Sequence, residues 1–331
     1  MSPPKKNRKV ALKGLAGLSI SCLLVWAIVR RVDPAALGEA FSSLRVGWFV
    51  FAVVAFGLGI AIAGARWRIP LVMNSLAEPW GFVLRMSCVA HCFNVLLMGP
   101  VPGDMAKAAL FSRWRKRPGA KALAACAIDR TLAAGGSVFY GLLTVTLIVL
   151  CGGLERLLKL EYTTPGWSLM IVVAAVVFGV IWLVRGRLAG NAFLVDSWNS
   201  FRVGILRFRD SRRMAALGVF LSLLNQILFG SILAICLFAV AGEDVNWAEA
   251  LWVFPLVSSL ASLPVSIAGA GVREGAAVLL LSTCGVDGAD ALAAGLLTSS
   301  VYLLWALIGA AVGWREELRF VGANRTETAR S

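Results

Sequence analysis

The sequence predicts an all-α polytopic membrane protein, and three observations predict it. Of 331 residues 59% are apolar and only 15% are charged, whereas a soluble domain is about a quarter charged. The mean hydropathy is +0.80. The apolar residues also come in blocks long enough to cross a bilayer, which takes roughly 20 residues at about 1.5 Å each. Backbone groups in lipid find no water, so each block must bond internally as a helix. The whole of 1–331 reads as one integral membrane unit.

The blocks fall at about 10–29, 47–65, 80–98, 122–150, 167–184, 215–241, 249–283 and 290–313. The first follows a basic start, 1–9, and resembles a signal peptide. It lacks a small-residue cleavage site and runs straight into Arg30-Arg31, so it reads as a retained span. The run Lys5, Lys6, Arg8, Lys9 matches a nuclear-localisation pattern, and the formal net charge is +14. Basic residues beside apolar spans report orientation instead, and no nucleic-acid partner is expected. The second block ends in Arg66, Trp67 and Arg68, read as interfacial anchors, as are Trp26, Trp48, Trp80, Trp252 and Trp314.

The third and seventh blocks carry punctuation that a simple span would not. Gly99-Pro100-Val101-Pro102-Gly103-Asp104 breaks one and 263–274, with Pro264, Gly269 and Gly271, breaks the other. Proline removes an amide donor and glycine weakens a helix. In a bilayer such breaks are tolerated where the backbone is buried in protein or lines a wet cavity. Between the fifth and sixth blocks, 185–214 is rich in arginine and too short for a core of its own. It reads as a cytoplasmic loop with room for an interfacial helix. Asn94, Asn225 and Gln226 are polar within apolar blocks, which suits interhelical hydrogen bonds. Seven cysteines form no CxxC pair. Cys88 and Cys92 share a helix face beside His91, but buried cysteines usually act as small hydrophobes, and neither a metal nor another cofactor is expected.

Charge placement then decides the topology. If every block before residue 200 crossed once from a cytoplasmic N-terminus, Lys107, Arg113, Arg115, Lys116, Arg117 and Lys121 would lie outside. So would the arginines of 185–214, against the positive-inside rule. Both clusters move inside if 80–116 is a re-entrant hairpin that enters and leaves on the cytoplasmic side. A second hairpin, 249–284, then enters from outside, between loops carrying Glu243, Asp244, Asp287 and Asp290. The tail 315–331 ends in the cytoplasm. The expected architecture is therefore about six transmembrane helices plus two opposed re-entrant helical hairpins in an inverted repeat, with eight simple spans as the alternative. Transporters built on inverted repeats place their substrate near the midplane, at discontinuous helices of the two halves.

Charges inside a membrane default to functional or pairing roles. Six stand in these segments: Asp104, Lys107, Asp129, Arg130, Arg273 and Glu274. Asp129 and Arg130 lie roughly 11 Å along their helix from Ala122, too deep for easy snorkelling. Arg130 is expected to pair with Asp104 and pin the hairpin. Lys107 and Arg273 are expected near the N-termini of returning helix arms, where free amides favour anions. Asp104 is a good N-cap type, and capping and anion binding are compatible.

These broken segments resemble the lysylphosphatidylglycerol synthase transmembrane family, a flippase-like domain of bacteria and archaea. The first signature is read at Asn94, Pro100, Pro102, Gly103-Asp104, Lys107 and Asp129-Arg130. The second is read at Leu263-Pro264-Val265-Ser266, Gly269 and Gly271-Val272-Arg273-Glu274-Gly275. Lys107 stands where the family more often has arginine, keeping the charge and losing the planar fork. The run Ala268-Gly269-Ala270-Gly271 is also less rich in glycine than the family's.

The resemblance implies movement of a lipid between leaflets of the cell inner membrane, in which charge placement puts both termini on the cytoplasmic side. Expected partners are membrane lipids of anionic phospholipid, polyprenyl-phosphate or hopanoid type, and lipid-synthesis enzymes. Asn94, Asp104, Lys107, Asp129, Arg130, Arg273 and Glu274 are the expected substrate-binding residues. Relatives that synthesise the lipid carry a following aminoacyl-transfer domain. The sequence to Ser331 has none, so no catalytic activity is expected. The rival readings are an enzyme of lipid-linked sugar or headgroup transfer and a non-transporting scaffold working through the arginine-rich loop. One histidine and no P-loop, zinc spacing or nucleotide fingerprint weigh against the enzyme.

Overall fold

The computed structural model describes residues 34–96, 100–155, 192–242, 245–261 and 269–328. Eleven α-helices fill them: α1 Pro34–Ser42, α2 Val46–Met73, α3 Trp80–Leu96, α4 Pro100–Arg115, α5 Gly119–Leu150, α6 Ala192–Asp210, α7 Arg212–Ala241, α8 Trp247–Ala250, α9 Val253–Ala261, α10 Val272–Ser282 and α11 Gly288–Thr328. The basic start 1–9, the expected spans 10–29 and 167–184, Trp26 and Pro264 lie outside the described residues.

Four helices are long and apolar enough to cross a membrane: α2, α5, α7 and the first 35 residues of α11, Gly288–Gly322. Their apolar residues run round the whole circumference, as befits helices that meet protein on one side and lipid on the other. α7 packs along α2 and α5, and α11 packs along α3, α7 and α10. Small residues make the close approaches. At Gly136 of α5 a side chain would collide with Ser222 of α7, and at Gly309 of α11 with the Cys88 carbonyl of α3. Without a hydrophobic drive between helices, such backbone approaches supply much of the association. Polar side chains add to it. Asn225 Nδ2 donates to the Gly59 carbonyl of α2 at 2.7 Å, and Gln226 Nε2 to Ser137 Oγ of α5 at 2.5 Å. Both are the interhelical bonds that the sequence suggested.

The two broken segments form helix pairs. α3 and α4, of 17 and 16 residues, pack against each other. Glu78 before α3 pairs with Arg115 and Arg117 at the end of α4, so both ends of the pair sit together. The second pair, α9 and α10, has 9 and 11 residues. Arg85 of α3 pairs with Glu316 of α11 at 2.9 Å, and Glu317 accepts from Arg113 and from Trp114 Nε1 of α4. Gly204 of α6 lies against Asn74, the C-cap of α2, and Ile128 of α5. One end of the bundle therefore gathers Arg85, Arg113, Arg115, Arg117 and the arginine-rich segment before α7. At the other end, Arg45 N–H donates to the Ala239 carbonyl near the end of α7.

Several expectations are corrected here. Helix α2 runs on through Arg66, Trp67 and Pro70 to Met73, and Arg66 and Trp67 are buried, so only exposed Arg68 is placed as an anchor would be. Hydropathy ends a span at its first charges, but the backbone continues where a partner waits for them. Trp48, Trp80 and Trp314 are exposed, whereas Trp252 is fully buried, packed over Gly153. Within 185–214, where the sequence left room for a helix, residues 192–210 form α6, and α11 runs on as far as Thr328. Helix α4 begins at Pro100, within the stretch that the sequence marked as a break, so Pro100, Pro102 and Gly103 stand in its first turn. Proline is tolerated there because those amides have no partner in the helix.

Candidate functional site

The charged residues assemble in two groups, one on each broken pair. In the first, Asp129 of α5 lies roughly 15 Å along the helix from Gly119. Arg66 of α2 grips it with Nε at 2.7 Å from Oδ1 and Nη2 at 3.2 Å from Oδ2, and both side chains are buried. The next residue, Arg130, points about 100° away round the helix and meets a different neighbour. Its Nε and Nη2 donate to the two carboxylate oxygens of Asp104 on α4. Two forked pairs satisfy both carboxylates, which burial requires. The Asp104–Arg130 pair was expected from the sequence. Arg66, as the partner of Asp129, was not.

Lys107 lies three residues past Asp104 and is 5% exposed. It sits about two turns inside α4, not at the free amides of the helix start, and Asp104 likewise is no N-cap. The Lys107 ammonium rests 3.6 Å from the centroid of the Trp67 ring. Among the described residues no carboxylate comes within 4.0 Å of it, because Arg66 and Arg130 hold both nearby acids. The indole Nε1 of Trp67, itself fully buried, also has no acceptor there. The group carries three bases and two acids, one positive charge in excess. Asn94 of α3 adds a buried amide oxygen without a donor. It occupies the space where a side chain at Gly103 would stand, so that glycine lets α3 and α4 close on each other.

The second group is built on the start of α10. Gly269 and Gly271 adopt φ of 76° and 84°, a left-handed turn that glycine allows at no steric cost. The Gly271 amide then donates to Glu274 Oε2 at 2.5 Å, the backward half of a capping box. Ser299 of α11 donates to Glu274 Oε1 at 2.5 Å and accepts from Arg273 Nη1 at 2.7 Å. The Arg273 guanidinium lies 4.2 Å over the Tyr302 ring. Arg273 and Glu274 thus stand at a helix N-terminus, as expected, but Glu274 occupies the cap. Ser299 and Tyr302 were not legible, since nothing in α11 marks one serine among its small residues.

His91 of α3 joins the groups. Its Nε2–H donates to the Tyr302 carbonyl at 3.1 Å, and Phe56 meets both rings edge-on. Cys88 and Cys92 instead pack on α11 around Gly309. The expected site residues therefore divide: Asn94, Asp104, Lys107, Asp129 and Arg130 on one side, Arg273 and Glu274 on the other.

Broken helix pairs within a bundle of long apolar helices, with charges buried at the breaks, define a multi-pass α-helical membrane protein. The chain belongs to the family described as the lysylphosphatidylglycerol synthase TM region, whose model matches residues 14–310 and so takes in both groups. That membership ties it to lipid metabolism. No curated protein matches the chain.

Proposed function

We propose that this protein moves an anionic lipid headgroup between the leaflets of the cell inner membrane and makes or breaks no covalent bond. One observation carries the proposal: Lys107 and Trp67 offer two buried donors without acceptors, in a group with one excess positive charge. A buried charge is costly unless it is paired. A phosphate oxygen supplies the missing partner. Arg66 and Arg130 keep Asp129 and Asp104 from neutralising Lys107, while the tails of the lipid stay in the bilayer. Arg273, held by Ser299 and stacked on Tyr302, is the second station for the headgroup.

The helix lengths support this path. At about 1.5 Å per residue, α9 and α10 span roughly 14 and 17 Å, half of an apolar layer about 30 Å thick. We read both broken pairs as re-entrant, with spans 10–29 and 167–184 bringing the crossings to six in an inverted repeat. The arginine-rich end faces the cytoplasm under the positive-inside rule, and so do both termini. The headgroup is that of an anionic phospholipid or a polyprenyl phosphate, delivered or consumed by lipid-synthesis enzymes.

The test is reconstitution in vesicles holding fluorescent phosphatidylglycerol or a fluorescent polyprenyl phosphate, with a membrane-impermeant reductant outside. The expected outcome is loss of fluorescence from the inner leaflet for at least one of them. If both lipids exchange no faster than in protein-free vesicles, the proposal falls.

A further inference from the structure

The outward face of α5 changes character halfway along. In the half toward the basic end it presents Ala127, Thr131, Ala134 and Ser137, all exposed, with Arg130 beside them, its side chain 37% exposed. In the other half, Val138, Phe139, Leu142, Val145 and Val149 are exposed, and the one exposed hydroxyl, that of Thr146, is bonded to the Leu142 carbonyl of its own helix. Bulky apolar side chains suit lipid tails. Thr131 and Ser137 each donate to a carbonyl of their own helix, Ala127 and Ala133, so their hydroxyls need no water. The partly exposed guanidinium does not suit lipid tails, because a charge at such depth is stable where it meets water or protein.

Arg130 and Ser137 are seven residues apart, two turns on one face of α5. Ser137 accepts from Gln226 of α7, a second polar side chain on the same flank. Ser137 lies just past the middle of the 32-residue helix α5. Hydroxyls and an amide therefore continue inward from the guanidinium that holds Asp104.

We infer that a water-filled vestibule opens from the arginine-rich end along α5, reaches the Ser137–Gln226 pair, and gives an anionic headgroup its way to Arg130. The direction of access rests on the proposed transport, but the vestibule itself does not. It ends where the apolar stretch of α5 begins at Val138. The headgroup slides along α5 while its tails remain in lipid beside the alanines.

Thiol accessibility tests this directly. Thr131→Cys, Ser137→Cys, Leu142→Cys and Val145→Cys are made in the full chain, whose own thiols set the background. A charged, membrane-impermeant thiosulfonate labels only thiols that meet water, since the thiolate is the reactive form. The expected result is complete labelling at Thr131→Cys and Ser137→Cys and loss of labelling at Leu142→Cys and Val145→Cys. An unlabelled Ser137→Cys, or equal labelling at all four positions, overturns the vestibule. Labelling as expected in a protein that exchanges no lipid keeps the vestibule and removes the transport reading. Exchange with an inert Ser137→Cys does the reverse.

Discussion

Replacing Arg66 by methionine isolates what holds the first charged group together. Asp129 is buried and receives two bonds from Arg66, and among the described residues no other base lies within ion-pair distance of it. Methionine keeps an unbranched apolar stem and removes both donors, stranding a buried carboxylate. Breaking a buried pair from one side costs about 3–5 kcal/mol. At roughly 2 °C per kcal/mol for a chain above 200 residues, that lowers Tm by about 6–10 °C. Removing both charges, Arg66→Met with Asp129→Leu, should recover most of the loss, because no stranded charge remains. Exposed Arg68→Met is the control, within about 0.5 kcal/mol of the parent. Thermal unfolding of the purified protein in detergent, followed by intrinsic fluorescence, reads all four proteins. If Arg66→Met melts with Arg68→Met, or the double variant is no more stable than the single one, the pair does not hold the group.

Three further outcomes follow from single contacts. Gly269→Ala forces a side chain into a left-handed backbone and within 2.5 Å of the Ala261 carbonyl. It should cost more than the roughly 1–2 kcal/mol of the conformation alone, seen as a lower Tm. Asn225→Leu removes the bond to the Gly59 carbonyl and should cost about 0.6–1.7 kcal/mol, read in the same melt. Lys121→Cys, just inside α5, should react with impermeant reagent only from the cytoplasmic side, and labelling from outside would restore simple spans.

The helical membrane class was legible because composition and block length determine it almost alone. The second break was legible too, since Gly269 and Gly271 do adopt the backbone that favours glycine. At the first break, α4 begins at Pro100, within the stretch that the sequence marked. Two prolines and a glycine look like an interruption, yet Pro100, Pro102 and Gly103 lie where a helix start tolerates them. The Asp104–Arg130 pair could be read from two lone charges in facing segments. Arg66 could not, because beside Trp67 and Arg68 it resembles the basic and aromatic edge of a span. Its partner lies 63 residues on, and only the packing of α2 on α5 brings them together. Trp252 was misplaced for a related reason: tryptophan prefers interfaces on average, while the space over Gly153 fixes this one inside.

The central claim is that a buried, unneutralised cation seats a lipid anion, and Lys107→Met tests it most directly. Methionine fills the same volume over Trp67 without the charge, so the variant should fold with an unchanged or higher Tm. In vesicles beside the parent protein, exchange of the labelled anionic lipid is predicted to fall to the protein-free rate. Exchange at the parent's rate in a folded Lys107→Met would contradict the account.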